Sequence, residues 1–105
     1  MKKAEFKTNT NKIWFTTHDL SGKYIECSDN IKGILGNDAS YYIGKNGYEF
    51  IHPDDLREIV GAHMYIKTDV VVSQYRIINS KNEYVWVKTI AVHINDKIIL
   101  MRELL

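Results

Sequence analysis

Residues 48–65 read YEFIHPDDLREIVGAHMY, and the reading of this stretch decides the fold. His52, Asp54, Asp55 and His63 are metal-ligand and acid–base residue types, but a helix start asks for several of them too. Pro53 suits the first helical position, where its missing N–H would have had no partner. Asp54 and Asp55 then fall in the first turn, where carboxylates meet exposed backbone N–H groups and the positive end of the helix dipole. His52 sits at or beside the cap. Leu56, Ile59, Val60, His63 and Met64 follow at helical spacing, so one apolar stripe is expected on a helix from Pro53 to about Lys67. Helix initiation accounts for Pro53, Asp54 and Asp55. It leaves His63 on an otherwise apolar face.

Downstream the period changes from helical to two. VVVSQYRIIN (70–79), EYVWVKTIAVHI (83–94) and KIILMREL (97–104) read as three strands. SKNE and Asn95-Asp96 are the turns between them. Upstream, IWFTTH (13–18) and YIEC (24–27) flank the turn DLSGK, a hairpin signature. Between the two strand regions, SDNIKGILG, NDASYYIG and KNGYEFI are three short turn or helix segments, two of them stopped by Gly36 and Gly44. Two strands, short helices, one longer helix and three strands make an α+β fold. Its antiparallel sheet is covered on one face. Residues 1–12 are expected to be a polar N-terminal lead or cap.

The chain has 105 residues, enough for one domain with one core. Fourteen basic against thirteen acidic side chains give a net charge of +1. That balance points to neither a nucleic-acid nor an anionic-membrane partner. Cys27 stands alone, which suits a reducing compartment. MKKAEF begins with a basic pair but no apolar stretch follows it, and no run reaches the roughly 20 apolar residues of a membrane span. A cytoplasmic location without direct membrane contact is expected. The sequence ends at MRELL, straight after a strand-like run, and the expectation is a module within a longer protein.

Motifs for catalysis are lacking: there is no GxSxG, GxxxxGK[ST], GxGxxG or HExxH. No enzymatic activity is expected. His52, Asp54 and Asp55 stand too close in sequence to converge on one metal ion, and none is expected.

Strand alternation sorts the remaining candidates. With Arg76 towards solvent, Ser73, Tyr75 and Ile77 point to the helices, and aligning the hairpin adds Val87, Thr89, Ala91 and His93. Ile59, His63, Tyr75, Ile77, Val87, Thr89 and His93 are the candidate pocket residues. Two readings of Tyr75, Thr89 and His93 stay open. They orient a small ligand, or they satisfy one another in a filled core. The opposite face carries Trp86, Ile90, Val92 and Ile94, broken by Lys88. A face this apolar needs a cover.

The pieces DLSGKYIECSDN, ILGND, FIHPDDLREIV, YRIINSKNEYVWV and the last strand, in this order, resemble a PAS domain of the subgroup whose helix opens with His-Pro-Asp-Asp. The resemblance spans about residues 13–104, which assigns 13–105 to the domain. Lys81-Asn82 stands where the family usually has Asp-Gly, and no helix follows the last strand. The resemblance implies a five-stranded antiparallel sheet with short helices and one longer helix cupped over it. It also implies a sensory or regulatory module of a larger signal-transduction protein that binds a small ligand, mediates homodimerisation, or does both, to control an output domain. A histidine kinase of a two-component system or a cyclic-dinucleotide enzyme would be such an output. Trp86, Ile90, Val92 and Ile94 are then the expected homodimer surface, with residues 1–12 folding back as the alternative cover. A haem sensor using His63 as axial ligand is a second alternative, and a pure protein-interaction module without ligand a third. A flavin adduct is not expected, because NGYEFI stands where flavin photoreceptors carry their reactive cysteine and Cys27 lies well upstream.

Overall fold

The computed structural model describes residues 12–64 and 70–105. Strand β1 is Ile13–Asp19 and β2 is Tyr24–Cys27. Helices α1 (Ile31–Leu35) and α2 (Ala39–Tyr42), a 3-10 turn (Gly47–Phe50) and α3 (Pro53–Met64) follow. Strands β3 (Val71–Ile78), β4 (Tyr84–Ile94) and β5 (Lys97–Leu104) complete the chain. The five strands form one sheet in the order β2-β1-β5-β4-β3, antiparallel at every junction. The expected elements are all there. The end of the expected long helix, Tyr65–Lys67, and all but the last residue of the polar lead lie outside the described residues.

The turns form where the side chains supply their hydrogen bonds. One Asp19 carboxylate oxygen accepts from the Ser21 N–H (2.9 Å), the Ser21 hydroxyl (2.6 Å) and the Lys23 N–H (2.9 Å). These bonds hold the carboxyl below its usual range, the Ser21 hydroxyl contributing most. Gly22 closes the turn at φ 97°, and a Cβ there would stand 2.8 Å from the Tyr48 ring. At the second hairpin the Asn79 side-chain oxygen accepts from Lys81 N–H and Glu83 N–H, while Asn82 takes φ 60°. Asparagine tolerates that left-handed conformation, so Lys81-Asn82 serves where Asp-Gly is usual. Asn95 (φ 57°) turns β4 into β5 in the same way.

His52 caps α3: its Nδ1 accepts the Asp54 N–H at 3.0 Å, and its carbonyl accepts from Asp55 and Leu56. Asp55 does more than the dipole reading requires. Its carboxylate accepts two bonds from the Arg76 guanidinium and one from the Arg76 N–H, each 2.9 Å. Arg76, expected to face solvent, is therefore half-buried and paired.

The stretch from Gly44 to Asp55 also bonds to both edges of the sheet. Tyr24 of β2 donates to the Lys45 carbonyl and accepts from Gly44 N–H, 2.9 Å each. On the far side His52 N–H donates to the Arg76 carbonyl of β3 at 2.9 Å, and Ile51 bridges to Ile77. Between these two attachments the helices lie over the sheet and bury Ile31, Leu35, Tyr42, Phe50 and Ile59 against it. Each such side chain removed from water stabilises the fold by roughly 1.5–3 kcal/mol.

Candidate functional site

The register fixes which side chains meet under the lid. One inner row runs Trp14, Arg102, Thr89, Ser73 across β1, β5, β4 and β3. The next runs Thr16, Leu100, Ala91, Val71. Of the candidate pocket residues, Ile59, Tyr75, Ile77, Val87 and Thr89 are buried. His93 is half-buried, opposite Ile98. His63 belongs to the last turn of α3, and its side chain lies outside the described residues. Tyr75 and Thr89 do meet, hydroxyl to hydroxyl at 3.0 Å.

What joins them was absent from the sequence-based candidates. Arg102 is 3% exposed and is the one buried charged residue among those described. Its two terminal nitrogens donate to the hydroxyls of Tyr24 (3.0 Å) and Tyr75 (2.5 Å). Its guanidinium carbon stands 5.7 Å from the Tyr75 ring centre and 6.0 Å from that of Trp14. Burial works against its charge, while Tyr75 and Tyr24 favour it, and the net direction is upward. The guanidinium is charged. Burial likewise pushes the Tyr24 phenol up to about 12 and the half-buried Cys27 thiol up to about 11. The signal for Arg102 was the alternation itself, since Ile98, Leu100 and Arg102 share one face of β5.

His18 is buried beside this cluster. Its Nδ1 lies 3.0 Å from the Gly22 carbonyl and so carries the proton, and Nε2 lies 2.9 Å from the Thr16 hydroxyl. His18, Tyr48, Ile51 and Leu100 border a cavity of about 20 Å³, room for one water. Among the described residues, no three of His, Cys, Asp and Glu gather into a metal-binding group.

The other side of the sheet is apolar and open. Phe15, Met101, Ile90 and Val72 stand opposite one another in a row across β1, β5, β4 and β3. Phe15 is 52% and Val72 57% exposed. Trp86 and Ile94 are also exposed, while Ile90 and Val92 are half-buried by their neighbours. The adjacent row is polar: Glu103, Lys88 and Gln74 beside Ile13. The Arg76 guanidinium lies 5.1 Å over the Trp86 ring, at the end of this face.

A five-stranded antiparallel sheet in this order, with short helices and one longer helix over one face, defines a PAS-type sensory or regulatory domain. The chain belongs to the PAS family: the family model described as PAS fold matches residues 24–101. Among curated proteins, hypoxia-inducible factor 1-alpha of Rattus norvegicus is 30% identical over 81 residues, which is 75% of this chain and 10% of that protein. The aryl hydrocarbon receptor nuclear translocator homolog of Drosophila melanogaster is 30% identical over 90 residues, 78% of this chain and 13% of that protein. The chain thus spans about a tenth of the length of the curated relatives it matches. Among solved structures, Drosophila melanogaster Cycle PAS-B with bound ethylene glycol superposes with TM-score 0.83 at 18% identity, covering 88% of this chain and 99% of that one. A Trp-to-Ala variant of Cycle PAS-B with bound glycerol gives the same values. At that identity the likeness is one of fold.

Proposed function

We propose that this PAS domain, residues 13–105, is a non-catalytic regulatory module of a larger signalling protein and that it works by pairing through the outer face of its sheet. The observation that carries this reading is the row Phe15–Met101–Ile90–Val72, flanked by Trp86, Val92 and Ile94. So continuous an apolar face is characteristic of an association surface. A second copy of the domain is the partner proposed, because Glu103 and Lys88 beside the apolar row let a two-fold copy match opposite charges. The partner would bias an attached output domain, a histidine kinase or a cyclic-dinucleotide enzyme, in a cytoplasmic protein. Sedimentation across a wide concentration range tests it. The wild type is expected to dimerise, and Ile90→Glu or Trp86→Glu to weaken the dimer by at least about tenfold, the scale of one lost central contact. A monomer at every concentration would sink the homodimer.

A second reading, that the interior receives a small ligand, draws on Arg102, since a charge buried among hydroxyls is costly in a domain that needs only a core. The polyol-bound Cycle PAS-B structures are of a similar domain with a small guest. A haem on His63 stays within this second reading; a visible spectrum of the purified protein tests it, a Soret band supporting haem.

A further inference from the structure

We infer that the neighbouring pair Trp14 and Arg102, at one end of the inner row Trp14–Arg102–Thr89–Ser73, is a receiving site for a small monoanion such as formate or a halide. The inference rests on the ligand reading above and gives it a chemical class. Three buried polar atoms have no hydrogen-bond partner among the described residues and come from this one row: Trp14 Nε1, Arg102 Nε and Ser73 Oγ. Trp14 is fully buried and Arg102 nearly so. Two of the three atoms are obligatory donors.

The bonds that do exist deepen the imbalance. Arg102 spends its terminal nitrogens on the Tyr24 and Tyr75 hydroxyl oxygens, and those phenols then have their own hydrogens to place. Thr89 and Tyr75 bond to each other, so whichever donates, one hydroxyl hydrogen of that pair is left over. Among the described residues, every acceptor in the cluster is a hydroxyl. The buried polar or charged residues are Thr16, His18, Thr89 and Arg102, so no Asp or Glu among the described residues reaches the core to neutralise the guanidinium. Buried donors left over cost about 1–3 kcal/mol each, and an unpaired buried charge more. A guest that only accepts hydrogen bonds, and carries one negative charge, removes both costs together. A cation or a donor-rich guest adds to them.

The test reads the indole N–H resonance of Trp14 by NMR while sodium formate replaces sodium gluconate at constant ionic strength. The only other tryptophan, Trp86, is on the exposed outer face and serves as the control. A saturable shift of Trp14 with Trp86 unmoved is expected. Arg102→Met should raise the half-saturation concentration at least about tenfold, as loss of a charged hydrogen-bond donor does. If that variant does not fold, Arg102→Gln, which keeps a polar group for the tyrosine hydroxyls but no charge, should weaken binding in the same direction. A Trp14 resonance that stays put throughout the formate titration overturns the anion inference. If neutral ethylene glycol nonetheless shifts it saturably, the interior still receives guests and only the chemical class is wrong. If neither moves it, the ligand reading fails as well.

Discussion

Asp55 and Arg76 hold the start of α3 to the outermost strand of the sheet through three bonds of 2.9 Å, one of them from the strand's own backbone. The same guanidinium then covers Trp86 on the far face. One ion pair thus touches the lid, the sheet edge and the proposed association surface.

The first prediction concerns that pair. The Arg76 side-chain hydrogen bond holds the Asp55 carboxyl below its ordinary 3.8. A depressed carboxylate contributes stability above its unfolded value, and the contribution is lost as pH falls through the lower folded value. The wild type should lose melting temperature on acidification below about 3.8, more steeply than Asp55→Asn. At neutral pH the variant should melt roughly 5–10 °C lower, as expected for a charged contact in a domain of this size. Thermal melts of both proteins against pH check this, and parallel curves would refute it.

Arg102 sets up a contrast between two substitutions. Arg102→Ala leaves a hole between Trp14, Tyr24 and Tyr75 and should cost about 2–5 kcal/mol. Arg102→Met fills much of that volume without burying a charge, and should be as stable as the wild type or more so. Urea unfolding of the three proteins measures both. If Arg102→Met were as damaging as Arg102→Ala, the guanidinium would be a structural necessity and its charge would need no further explanation.

The alkaline limb of stability should belong largely to Tyr24. Burial raises its phenol from 10.0 to about 12. A raised value means stability that is complete below the unfolded value and disappears as pH climbs through the folded one. Between those two values the wild type should lose stability, and Tyr24→Phe should flatten the loss. Absorbance titration of the phenolates gives the companion measurement: one tyrosine should ionise last, near pH 12, and vanish from the curve in the variant.

The sheet was legible because its residues obey the period of two so closely. KIILMREL is β5 from end to end, and Asp19, Asn79 and Asn95 mark the turns by their own hydrogen-bonding chemistry and conformational tolerance. The apolar outer face followed from the same alternation in β4. Asp55 was half legible. Its place in the first turn of α3 was clear, but its partner lies 21 residues away across a junction that only folding creates. Arg102 was written into the alternation as plainly as Leu100. It went unread because a charged residue in an inward position contradicts the pattern being sought, and its tyrosine partners sit 27 and 78 residues distant. Local chemistry shows up in sequence; compensation between distant groups does not.

Because residues 44–55 are stitched to both outermost strands, the backbone groups they occupy are closed to foreign strands. Lateral polymerisation through those groups is thereby discouraged. The proposed pairing through the apolar face would then make a self-limiting couple rather than a fibril, an assembly that a signal can open and shut.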